Sequence, residues 1–226
     1  MWEAKIDAQA RRKMWPKAAL ALLLGVAGSW FPGALAMAAG SLKLVALGDS
    51  ITAGLGLKSE DAYPQRLQNL LVAQGHNVEI SNAGVSGDTV SDGLDRLDWS
   101  VPDGTDGVIV ALGANDMLQG VEPARTAAKL EKLVARLEAR HIAVLLVGMK
   151  ASSNFGAAFR TAFDQIFPDL AARHGIDLYP FLLQAVARHP ELNQNDGIHP
   201  NAKGAELIAE GLLPGVVQLI ERIGKR

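Results

Sequence analysis

From residue 42 onward the chain alternates short apolar runs with longer stretches of helical period, and no other feature constrains its fold so tightly. Residues 42–47 form an apolar-rich run that stops at Gly48, and residues 78–80, 108–112, 144–147 and 176–179 repeat the signal. Runs of this length suit strands buried on both faces, the usual condition of a parallel sheet. The clearest helix between them is expected over 123–140, where Pro123 suits the first turn and Ala127, Leu130, Val134 and Leu137 share one face. A last helix is expected after Pro200, with Ile208, Leu212, Val216 and Ile220 on one stripe and Pro214 kinking or dividing it. Such alternation implies βαβ units with right-handed crossovers, and so one α/β domain with helices on both faces of a parallel sheet. Ligands of such sheets bind beyond the carboxyl ends of the strands, near the point where strand order reverses. The informative residues are therefore those that directly follow each apolar run.

The N-terminus reads differently. Arg11, Arg12, Lys13 and Lys17 precede an apolar run from Ala18 to Phe31, which Pro32 breaks. Ala34-Leu35-Ala36, or Ala36-Met37-Ala38, then offers small residues at signal-cleavage spacing. The expectation is a signal peptide over 1–38 and a mature domain over 39–226, exported to the periplasm or the medium. An uncleaved N-terminal anchor is the alternative, since 18–39 is almost long enough to span a bilayer. Removing 1–38 takes away five basic and two acidic residues and turns a net charge of −2 into −5. With scattered basic residues and 5% aromatics, nothing favours nucleic-acid binding. The absence of cysteine excludes disulfides, thiolate nucleophiles and thiolate zinc sites. No cluster has metal-ligand spacing, so neither metal nor cofactor is expected, and no protein partner is indicated.

Four segments in informative positions carry chemistry. The first strand leads into Gly48-Asp49-Ser50, where a serine opening a helix meets free N–H groups and a partial positive charge. Ser50 is a candidate nucleophile there, or simply a helix cap. Gly56-Leu57-Lys58-Ser59 lacks the glycine before lysine that a phosphate-binding P-loop needs. After the second strand, the loop around Gly87 allows backbone to approach a ligand closely, or makes an ordinary turn. After the third, Asn115 can point its amide into a pocket or bond its own turn. In the loop before the last helix, Asp196 and His199 stand three residues apart, spacing that lets a carboxylate orient an imidazole, or forms an Asx-turn. His76, His141 and His174 fit helix C-terminal ends, and His189 a surface turn.

Taken together, Gly48-Asp49-Ser50, Gly87 within Val85-Ser86-Gly87-Asp88-Thr89, Asn115 within Gly113-Ala114-Asn115-Asp116, and Asp196-Gly197-Ile198-His199-Pro200 resemble the conserved blocks of the SGNH (GDSL) hydrolases. The similarity spans about 42–215 and is greatest to the single-domain bacterial thioesterase I/lysophospholipase L1-like and arylesterase branch. It implies a three-layer α/β/α, flavodoxin-like sandwich with a five-stranded parallel sheet in the order 2-1-3-4-5. It also implies Ser50 as nucleophile, His199 as general base and Asp196 as its orienting acid. The implied oxyanion hole consists of the Ser50 and Gly87 N–H groups and the Asn115 amide. Two positions depart from the pattern: Ala114 replaces a frequent glycine and Gln119 a frequent arginine, the latter in a loop that the resemblance assigns to the acyl site.

The expected reaction is hydrolysis of a carboxylic ester or thioester through an acyl-enzyme. Met117, Leu118, Met149, Asn154 and Phe155 are the candidate substrate contacts; their mostly flexible, apolar character suits an aryl or medium acyl group better than a sugar. Acyl transfer to an alcohol on the same scaffold, and a non-catalytic periplasmic binding module, are the alternatives. Since acylation requires neutral His199, activity is expected to rise with pH through the range in which histidines titrate.

Overall fold

The structure, a computed structural model, describes residues 40–225; the expected signal peptide lies outside them. Among these residues five strands, β1 (Leu42–Gly48), β2 (Val78–Gly84), β3 (Gly107–Ala111), β4 (Ala143–Val147) and β5 (Asp177–Tyr179), form one sheet in the order β2-β1-β3-β4-β5. Every neighbouring pair is parallel. The chain thus leaves β1 toward β2 on one side and returns to place β3 on the other. The reversal of strand order falls between β1 and β3, where their carboxyl ends diverge into loops.

Eight α-helices among the described residues accompany the strands: α1 (Ser50–Ala53), α2 (Tyr63–Ala73), α3 (Val90–Asp95), α4 (Leu97–Ser100), α5 (Ala114–Leu118), α6 (Pro123–Ala139), α7 (Ala157–His174) and α8 (Ala202–Ile223). Helices α2 and α8 pack together over one face of the sheet, and α3, α6 and α7 over the other. Strands β3 and β4 are buried at every residue, which is why they read as unbroken apolar runs. Side chains such as Leu47, Ile109, Leu130, Leu133 and Phe163 are fully enclosed between sheet and helices, and each such burial is worth about 1.5–3 kcal/mol.

Beyond one-residue shifts at element ends, two features differ from the sequence-based expectation. Strand β2 continues through Ser81-Asn82-Ala83-Gly84, beyond the apolar run, because it is an edge strand whose outer positions face solvent. Helix α8 runs undivided through Pro214. Both Pro214 and Glu210, whose carbonyl the missing N–H leaves unpaired, are exposed, so water can satisfy that group.

Candidate active site

Ser50 is the first residue of α1, two residues beyond the end of β1. The cap of that helix is Asp49, whose buried carboxylate accepts the Ile51 N–H at 3.0 Å. Capping is thereby taken over by the neighbour, and the Ser50 hydroxyl is left free to face another partner. Helix α1 lies hard against the end of β2: a Cβ on Gly84 would come 2.1 Å from the Ala53 nitrogen. Behind it, the buried Thr52 hydroxyl meets the Tyr63 hydroxyl at 3.0 Å and ties α1 to α2. The serine is therefore held by a short, fully braced turn.

The loop before α8 brings its imidazole to this serine. His199 Nε2 lies 2.8 Å from Ser50 Oγ, and His199 Nδ1 lies 2.7 Å from Asp196 Oδ2. The other carboxylate oxygen, Oδ1, accepts the N–H groups of Ile198 and His199 at 2.9 and 3.0 Å. Asp196 is thus an Asx-turn and an imidazole partner at once. These bonds, led by that from the His199 N–H, hold its carboxyl far below the usual range, although it is half exposed. Gln194 pins the loop from behind, its amide donating to the carbonyls of Leu55 at 2.7 Å and Pro200 at 3.0 Å. The carboxylate therefore stays ionised and the ring stays aimed at the serine.

Opposite the imidazole, Gly87 and Asn115 line the same cavity as Ser50, a space of about 240 Å³. Gly87 has φ +90°, with open space where a Cβ would stand, so backbone conformation rather than crowding requires glycine there. Among the described residues no hydrogen bond takes up the N–H of Ser50 or of Gly87. The Asn115 amide donates one hydrogen to the Asp88 carbonyl at 2.9 Å, a partner 27 residues away rather than a local turn. Its second hydrogen remains available to the cavity.

Three residues that the sequence does not single out hold these donors. Asp88, buried and directly after Gly87, accepts the Arg96 Nε–H at 2.6 Å. The same guanidinium donates to the Gly48 carbonyl at the end of β1 at 2.9 Å and to Ser100 at 2.8 Å. Arg96 therefore clamps the Gly87 loop to the strand that carries Ser50. Asp116, buried beside Asn115, accepts the Val90 N–H at 2.8 Å and the Thr126 hydroxyl at 3.2 Å. Burial raises its carboxyl above the ordinary value. Burial likewise pushes Asp49 up to about 6; the Ile51 N–H and His199 counter it, and Asp88 adds to it.

A second and larger cavity, about 620 Å³, adjoins the first along Leu118 and Ile198, which line both. Met117 and Met149 line it too, so three of the five expected substrate contacts border one or both cavities. Asn154 is exposed and Phe155 stacks on Phe159 with ring centroids 5.0 Å apart, and neither borders these cavities. Phe155 instead ends an aromatic row, through Phe159, Phe163 and Phe167, that sinks into the core. Ala114 lines the smaller cavity, whereas Gln119 is exposed at the end of α5. His174 closes α7 as expected of a C-terminal histidine, with Glu131 and Glu138 at its two ring nitrogens. No group of three metal-ligating side chains occurs among the described residues.

A doubly wound parallel sheet with a serine, a histidine and an aspartate in one hydrogen-bonded chain at its switch point defines a class of α/β hydrolytic folds. Within that class, the chain belongs to the GDSL-like lipase/acylhydrolase family, which it matches over residues 46–207. It is 34% identical to an arylesterase of Vibrio mimicus over 171 residues, 75% of this chain and 86% of that protein. It is 32% identical to the thioesterase 1/protease 1/lysophospholipase L1 of Escherichia coli over 184 residues, 81% and 87% of the two chains. Among solved structures, the SGNH-hydrolase family esterase AlinE4 superimposes with a TM-score of 0.68 at 40% identity, covering 80% of this chain and 97% of that one.

Proposed function

We propose that the protein hydrolyses carboxylic esters and thioesters through an acyl-enzyme on Ser50. The observation that carries this reading is the unbroken chain from Ser50 Oγ through His199 to Asp196, facing unoccupied N–H donors across one cavity. The Ser50 hydroxyl donates to His199 Nε2, which takes the proton as Oγ attacks the carbonyl carbon. His199 Nδ1–H donates to Asp196, whose charge supports the imidazolium. Negative charge developing on the carbonyl oxygen is met by the Ser50 and Gly87 N–H groups and by the second Asn115 hydrogen. His199 Nε2–H then protonates the departing alkoxide or thiolate. Water then gives a proton to the same nitrogen as its oxygen attacks the acyl carbon, and the proton passes on to Ser50 Oγ as the acid departs.

The substrate reading rests on the rim of the site. Leu55, Leu118 and Ile198 line the cavity around Ser50 and are 46%, 52% and 50% exposed, an apolar collar unusual for a free surface. It favours an aryl or alkyl ester over a sugar ester, in keeping with the arylesterase and thioesterase names of the relatives. Met117, Leu118 and Met149 are the side chains proposed to meet the acyl group. The chain is proposed to act after export, with 1–38 removed as a signal peptide; among the described residues no helix is long and apolar enough to cross a membrane.

Steady-state hydrolysis of 4-nitrophenyl esters by the wild type and Ser50→Ala tests the assignment. A loss on the order of 10⁴–10⁶ in kcat is expected, with the fold retained by circular dichroism. Equal turnover by the two proteins would refute it.

A further inference from the structure

The larger cavity combines an apolar floor with a cationic wall. Met117, Leu118, Met149 and Phe181 supply apolar surface, while Lys150, Arg160 and Arg188 reach the same space from three separate segments. Arg66, Arg96, Arg136, Arg140, Arg173 and Arg222 each pair with a carboxylate elsewhere in the molecule. The side chains of Arg160 and Arg188 make no hydrogen bond or ion pair among the described residues. Among the same residues the Lys150 ammonium has only the Phe181 ring, 5.7 Å from its centroid. One carboxylate, Asp164, lines the cavity, and one of its oxygens is already engaged by the Ala151 N–H at 2.8 Å. In a chain with more acidic than basic residues, three cations against the single carboxylate of Asp164 leave this groove a net positive charge that an anion would complement.

The groove is continuous with the reaction centre. Leu118 and Ile198 form the shared border, and Leu118 belongs to the same short helix as the oxyanion donor Asn115. A group that stays attached to Ser50 after the alcohol departs therefore has an apolar path past Leu118 into a positively charged end. We infer that this groove selects esters whose acyl chain carries an anion at its far end, such as the monoesters of medium-chain dicarboxylic acids. The inference rests on the hydrolase reading above and adds the charge of the acyl terminus to it. The methylenes lie along Met117, Leu118 and Met149, and the terminal carboxylate is met by Lys150, Arg160 and Arg188.

The test compares mono(4-nitrophenyl) suberate with 4-nitrophenyl octanoate, which have the same eight acyl carbons and differ in the terminal charge. Exposed pairs are individually weak, so three together are expected to favour suberate by about tenfold in kcat/KM at low salt, carried by KM. Raising the ionic strength should erode that preference, because exposed charges are screened. In K150Q/R160Q/R188Q the suberate-to-octanoate ratio should fall about tenfold, a ratio that any general loss of active protein leaves untouched. Octanoate turnover with no suberate preference, or a preference that survives in the triple variant, would overturn the inference while leaving the hydrolase reading intact. No turnover of either ester by folded wild type would overturn both.

Discussion

Asp49 stands at the junction of fold and site, and replacing it by asparagine isolates what its burial costs. The side chain is 2% exposed, caps α1 through the Ile51 N–H and has its carboxyl pushed up to about 6 from 3.8. The native state therefore keeps a proton on Asp49 through a pH range in which the unfolded chain has released it. Between 3.8 and about 6 the native state binds more protons than the unfolded one, so this group makes stability fall as pH rises. Once Asp49 is ionised, the loss amounts to about 3 kcal/mol. An asparagine side chain in its place keeps an oxygen for the Ile51 N–H and has nothing to ionise. The stability of Asp49→Asn relative to wild type should thus rise by about 3 kcal/mol between about pH 3.5 and about pH 7.5. Taking the difference cancels the other carboxylates, several of which act in the opposite direction. Urea unfolding followed by circular dichroism at both pH values measures it. A difference that stays constant across the range would refute the reasoning.

Asn115→Ala removes one of the proposed oxyanion donors and should lower kcat by about 10²–10³ with little change in KM, read from 4-nitrophenyl ester kinetics. Arg96→Met leaves the buried Asp88 carboxylate unpaired and should cost about 3–5 kcal/mol in urea unfolding, partly recovered by adding Asp88→Asn. For His174, burial pulls the imidazole down, but its hydrogen bonds to the Glu138 and Glu131 carboxylates outweigh it and raise it above 6.5. Its contribution is complete below the unfolded value and is lost as pH rises through the native one. His174→Gln should therefore cost about 1 kcal/mol near pH 6 and progressively less toward pH 9, measured by denaturation at several pH values.

The sequence exposes the parts of this fold that are buried on both faces and hides those that are not. Strands β3 and β4 are legible because every residue is apolar and enclosed. The second half of β2 is not, since an edge strand can carry Ser81 and Asn82 outward. Helix α7 has a weak apolar stripe and an internal proline, Pro168, on its exposed side, so periodicity marks it poorly. In the site, Asp196 and His199 are near neighbours in one loop, where spacing allows an imidazole partner or an Asx-turn, and the structure has both. The clamp of Arg96 on Gly48, 48 residues away, and that of Asn115 on Asp88 exist only once the sheet is wound. The same holds for the cationic groove, because Lys150, Arg160 and Arg188 converge from segments that share no motif. Phe155 shows the limit from the other side: an aromatic residue in a pocket-side loop packs on Phe159 instead of lining the pocket.

The central claim is that Ser50 is an activated nucleophile. Intact mass spectrometry after exposure to a fluorophosphonate tests it most directly, on wild type and Ser50→Ala. The account predicts one adduct on the wild type and none on the variant. Absence of an adduct on folded wild type, or an equal adduct on Ser50→Ala, would contradict it.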